Sequence, residues 1–187
     1  LSTFKDGSSR KVSNIERIQA FFLDLDCGPA KEFATQRDAL DGLREFYRGV
    51  GLPKPFVVSS GRGIHVYWFL SESVIYDDWF PVADSLKRLC AQHNFLADPA
   101  VTSDGARVLR ILNTHNHKDD PAAQVLQLGV DIPPLVDLEE FSVLLGADPL
   151  ASPTKVNSQP PSAIMQKLMG NNDTKFKNIL LKAEKGG

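Results

Sequence analysis

The sequence predicts an α+β domain, on three observations. Residues 18–25, "IQAFFLDL", carry an apolar run that suits a buried strand. "FVVSS" (56–60) and "IHVYWFL" (64–70), split by "GRG", read as two strands of a hairpin closed by a glycine turn. Two longer stretches repeat apolar residues at three and four, as amphipathic helices do.

Taken in order, residues 1–14 are polar and turn-rich, which predicts a loosely held lead-in. After the first strand, Phe33, Leu40, Leu43, Phe46, Tyr47 and Val50 mark a helix over 31–50, stopped by the glycines and prolines of "GVGLPKP". Beyond the hairpin, Trp79, Val82, Ala83, Leu86, Leu89 and Cys90 share one face of a helix over about 76–93. "ARVLRIL" (106–112) alternates well enough for a strand and "AAQVLQLG" (122–129) for its antiparallel neighbour. "DLEEFSVLLGA" (137–147) predicts a last helix, with Asp137 as its N-cap. The texture then changes: residues 151–187 read as a proline- and serine-rich linker and the start of a helical segment, with six lysines from Lys155 onward against Asp173 and Glu184.

The composition, 42% hydrophobic and 24% charged over 187 residues, suffices for one domain with a sizeable core. A net charge of −2 gives no global basic signature of nucleic-acid binding, so any such function must sit in local patches. Two cysteines, Cys27 and Cys90, are too few for a disulfide framework or a cysteine-rich zinc site. No apolar run reaches the roughly 20 residues of a membrane span, and no signal peptide is visible. The expectation is a soluble, cytoplasmic protein. A first residue other than Met suggests a fragment of a longer polypeptide.

Three segments carry candidate chemistry. Strand side chains alternate, so Asp24 and Asp26 stand on the same side with Leu25 turned into the core. Two carboxylates that close repel unless a cation or a shared proton lies between them, and the pair therefore asks for a metal. The blander reading is a strand end running into a polar turn. In "SSGRGIHVYW" (59–68), the turn offers backbone N–H groups and the Arg62 guanidinium to phosphate oxygens, and His65 can face the same pocket. In "ADPAVTSDGARVLRILNTHNHK" (97–118), Asp98 precedes Pro99 at a strand entrance, and Arg107 and Arg110 would face opposite sides of a regular strand. Asn113, Asn116 and Lys118 form a polar cluster after it. His115 and His117 lack cysteine or acidic partners at zinc-ligand spacing, so a solvated turn is the better reading.

The ordered triple is D-x-D, then S-G-x-G-x-H-x-Y, then a lone aspartate followed by R-x-x-R-x-x-x-T-x-N-x-K. It resembles the archaeo-eukaryotic primase superfamily, specifically the primase-polymerase domains of phages and plasmids, over roughly residues 18–130. The resemblance implies an RRM-like antiparallel or mixed sheet flanked by helices, with the active site in a cleft. It makes residues 1–150 the primase-polymerase catalytic domain. It makes Asp24, Asp26 and Asp98 the catalytic metal ligands, for two Mg²⁺ or Mn²⁺ ions. Ser60, Arg62, Gly63, His65, Arg107, Arg110 and Lys118 then fall on nucleotide-binding positions, with Asn113 and Asn116 beside them. Asp104 competes with Asp98, which is preferred for its distance to the arginine pair. Gly63 stands where some members have serine, and "LNT" stands where many phage members have a proline-glycine-threonine turn.

The activity so implied is template-directed nucleotidyl transfer that makes and extends primers in phage or plasmid replication. Its partners would be single-stranded DNA, dNTPs or NTPs, and a helicase on the same polypeptide or in trans. A two-metal phosphoesterase or nuclease, a break-repair polymerase and a non-catalytic origin-binding module are the alternatives. The basic tail is expected to aid the start of a chain more than its extension.

Overall fold

The computed structural model describes residues 1–118 and 120–147. The linker and helical segment expected over 151–187 lie outside the described residues. The long apolar run becomes strand β2 (Ile15–Leu25), in which Ile18, Phe21, Phe22, Leu23 and Leu25 are all buried. The hairpin strands are β3 (Phe56–Ser59) and β4 (Ile64–Val74), paired antiparallel from Phe56↔Tyr67 to Ser59↔Ile64. On its other side β4 pairs antiparallel with β2, in a register that sets Phe21 opposite Trp68 and Asp24 opposite His65.

The N-terminal lead-in is more ordered than its composition predicts. Ser2–Phe4 forms β1, an edge strand antiparallel to β2. Buried Asn14 ties down the loop that follows, its Nδ2 donating to the carbonyls of Asp6 and Ser9.

Helix α1 spans Gln36–Gly49 and starts later than the apolar spacing suggests. The reason is a capping box at Thr35. Its hydroxyl accepts from the Asp38 N–H, and the Asp38 carboxylate accepts from the Thr35 N–H. Helix α2 (Tyr76–Gln92) puts Trp79 against β2, where the indole N–H donates to the Ala20 carbonyl at 3.0 Å and Phe21 stacks on the ring. A single turn, α3 (Pro99–Thr102), follows.

The strand expected over 106–112 does not form, and 122–129 is not its neighbour. Ala106, Leu109 and Leu112 pack against the core, a repeat of three where a strand needs two. Residues 122–129 instead divide at buried Val125, whose N–H donates to the Thr114 carbonyl. Strand β5 (His115–Asn116) pairs with β6 (Ala123–Gln124), whereas β7 (Leu126–Gln127) joins the edge of β3. The main sheet thus runs β1-β2-β4-β3-β7 and is antiparallel throughout. Helix α4 (Leu138–Leu144) is capped by Asp137 as expected, and its Phe141 stacks on Phe21. Among the described residues no helix is long and apolar enough to cross a membrane.

Candidate active site

At the C-terminal end of β2 the alternation does what the sequence suggests: Leu25 is fully buried, and Asp24 and Asp26 both line one cavity of about 590 Å³. That cavity also collects Ser60, Arg62, Gly63, His65, Asp98, Arg107, Arg110, Asn116 and Lys118. Segments far apart in sequence therefore meet at one polar cleft. Asn113 is the exception. Its φ of 64° turns the chain while its N–H donates to the Val125 carbonyl, and it does not line the cavity.

Asp24 is the most perturbed carboxylate. Burial, then the like charges of Asp26 and Asp98, push its pKa up to about 6, against the opposing pull of Arg107 and Arg110. Asp98 is held close by a backbone bond, its N–H donating to the Asp24 carbonyl at 3.0 Å. It does not enter a strand, as expected from the sequence, but caps α3, its carboxylate accepting from the Ala100 N–H at 2.8 Å. Asp104 faces elsewhere: its carboxylate accepts from the Ala106 N–H in a turn, and it does not line the cavity. Asp26 pairs with Lys31 at 2.8 Å, both side chains about half exposed.

Three carboxylates offer only hard oxygen, the donor set that suits Mg²⁺ or Mn²⁺. Among the described residues no three His, Cys, Asp or Glu side chains converge closely enough to hold an ion as they stand. Asp26 is turned to Lys31 and Asp98 to its own helix turn. The donors fit a divalent ion in chemistry and in the cavity they share. An exposed ion pair such as Asp26–Lys31 is weak enough to give way to one.

His65 lies opposite Asp24 on β4, almost fully buried, with Nε2 3.7 Å from Asp24 Oδ1 and Nδ1 3.3 Å from the Tyr67 hydroxyl. Burial, then Arg110 and Arg107, lower its pKa to about 4. At neutral pH the ring is uncharged, so its approach to Asp24 is no ion pair and is too long for a strong hydrogen bond. His65 is a neutral ring with an N–H to offer.

The glycine turn sits against the end of β2 because Gly63 has no side chain. A Cβ there would collide with the Leu25 carbonyl oxygen. Ser60 closes the turn, its N–H donating to the Gly63 carbonyl and its hydroxyl accepting from the Gly63 N–H. Arg62 reaches the Lys118 carbonyl at 2.9 Å. Asn116, buried, ties these parts together: its Nδ2 donates to the Ser60 carbonyl, and its Oδ1 accepts from Arg110 and from the Lys118 N–H. It braces the cations.

The repeat of three over 106–112 also resolves the arginine pair. A strand would have sent Arg107 and Arg110 to opposite faces, but three residues apart on this segment both reach the cavity. Sequence reasoning missed two contributors. Gln36, the first residue of α1, donates from Nε2 to Ser59 Oγ and to the carbonyls of Gly61 and Gly63, bracing the turn. Lys31 neutralises Asp26. Thr114, the threonine of the third motif, also lines the cavity. His115 and His117 are exposed and do not line it.

No protein-family model and no curated protein sequence matches the chain. Among solved structures it is similar to the AEP domain of the primase-polymerase of cyanophage S-2L, with a TM-score of 0.56 and 19% sequence identity, over 77% of this chain and 69% of that one. At that identity the likeness is one of fold: the chain has a mixed α+β fold like that of a phage primase-polymerase domain.

Proposed function

We propose that the chain is the catalytic domain of a DNA primase-polymerase, which carries out template-directed, divalent-metal-dependent nucleotidyl transfer and both makes and extends primers in phage or plasmid replication. One observation carries the reading. Carboxylates at Asp24, Asp26 and Asp98 and cations at Arg62, Arg107, Arg110 and Lys118 line one cavity, on a fold similar to that of a phage primase-polymerase domain.

In this reading Asp24, Asp26 and Asp98 hold two Mg²⁺ or Mn²⁺ ions, which when bound stabilise charge on the attacking and leaving oxygens. The guanidiniums of Arg62, Arg107 and Arg110 and the Lys118 ammonium receive the triphosphate, and fork-shaped guanidiniums suit its oxygens. Neutral His65 donates one hydrogen bond to a phosphate oxygen. Ser60 and Gly63 shape the turn, and Asn116 holds Arg110 and Lys118 in place. The substrates are dNTPs or NTPs, the template is single-stranded DNA, and a helicase in the same polypeptide or in trans is the partner.

The test is incorporation of labelled nucleotides on a single-stranded template with Mn²⁺, with and without a primer. Wild type should incorporate in both cases, and Asp24→Ala or Asp26→Ala should abolish incorporation while leaving the fold intact. Incorporation within a few-fold of normal by either variant defeats the metal assignment.

A further inference from the structure

The segment 106–112 has a third face that the chemistry above leaves unused. Ala106, Leu109 and Leu112 point inward and Arg107 and Arg110 serve the cleft, whereas Val108 and Ile111 are 62% and 67% exposed and line the same cavity. Apart from Leu109, which packs on the core, every other lining residue is polar, charged or glycine. The apolar wall therefore comes from one short segment, whose two exposed members alternate with the arginines. Aliphatic surface held open to water gains free energy when an apolar surface covers it. A ligand that meets both this wall and the adjoining guanidiniums needs an anionic end and a flat, weakly polar end.

A nucleotide has both. We propose that Val108 and Ile111 form the wall against which the nucleoside of the bound nucleotide packs, while its phosphates face Arg107 and Arg110. The proposal deepens, and rests on, the reading of this cavity as a nucleotide site. Aliphatic side chains make no hydrogen bonds to base edges, so contact of this kind adds affinity by burial with little preference among bases.

The experiment compares a dNTP, inorganic tripolyphosphate and a single-stranded oligonucleotide as ligands by calorimetry with Mg²⁺ present. The variants are Val108→Ser with Ile111→Ser, and Val108→Leu with Ile111→Leu. Both positions are exposed, so both variants should melt with wild type. Covering about half of each side chain is worth about tenfold in affinity. The serine variant should therefore bind the dNTP about tenfold more weakly with tripolyphosphate unchanged, and the leucine variant should keep wild-type affinity for the dNTP. An unchanged dNTP affinity in the serine variant overturns the proposal, including the case in which only oligonucleotide binding falls. Equal losses for dNTP and tripolyphosphate overturn it too, since the effect would then lie in displaced arginines. Failure of wild type to bind either phosphate ligand overturns the nucleotide-site reading itself.

Discussion

Replacing Asp24 by asparagine should stabilise the metal-free protein at neutral pH, because the structure makes this carboxylate costly to ionise. Its pKa is raised from 3.8 to about 6, about two units, and at about 1.36 kcal/mol per unit this is a ceiling of about 3 kcal/mol. The side chain is only 19% exposed, so solvent screening removes little of it. The sign follows from proton linkage. Below about pH 4 the aspartate is protonated both folded and unfolded, and wild type bears no cost. As pH rises through about 6 the folded protein must give up a proton that it holds more tightly than the unfolded chain does, and the favourable contribution is lost. The amide of asparagine has no such proton. Urea unfolding in EDTA should therefore show the variant and wild type equal near pH 4, diverging between 4 and 6, with the variant ahead by up to about 3 kcal/mol at pH 7. Added Mn²⁺ should stabilise wild type and do much less for the variant. A variant less stable than wild type at pH 7, or a difference that does not change with pH, refutes the reasoning.

Gly63→Ala should cost on the order of 1–3 kcal/mol, as overpacking does, and should depress nucleotide binding along with stability because the turn must move off the Leu25 carbonyl; thermal melting and a nucleotide titration check both. His65→Ala should weaken nucleotide binding by on the order of 1–3 kcal/mol, the loss of one hydrogen bond to a charged oxygen, with the divalent-ion requirement unchanged. If it abolishes Mn²⁺ binding in the absence of nucleotide, the histidine is a ligand. Asp98→Asn should be inactive in nucleotide incorporation and Asp104→Asn near normal, since only the former lines the cavity.

What was legible in the sequence followed from local periodicity. The burial of Leu25 between two aspartates needs only the alternation of a strand, and the glycine turn and the capping residue Asp137 announce themselves by type. The arginine segment departs from the strand that its alternation suggests because the apolar residues Ala106, Leu109 and Leu112 recur at three and face the core. That spacing is visible in the sequence, but it decides nothing until a core exists for those residues to face. The parts of the site that stayed hidden depend on contacts across the chain. Gln36 has no signature of its own, and its role exists only because the start of α1 meets the turn at residues 59–63. Asn116 is named by the motif, but its bracing role exists only through contact with Ser60, 56 residues away. Edge strand β1 is three residues of unremarkable composition, held by pairing with β2.

The central claim is nucleotidyl transfer, and pyrophosphate release tests it most directly. Wild type should be incubated with a single-stranded template, dNTPs or NTPs and Mn²⁺, without primer, and pyrophosphate counted against nucleotides joined. The account predicts one pyrophosphate per phosphodiester bond formed, one fewer than the nucleotides in each unprimed product, with products complementary to the template, and neither with Asp24→Ala. Template degraded to fragments without pyrophosphate and without nucleotide dependence would contradict it and identify a two-metal nuclease instead.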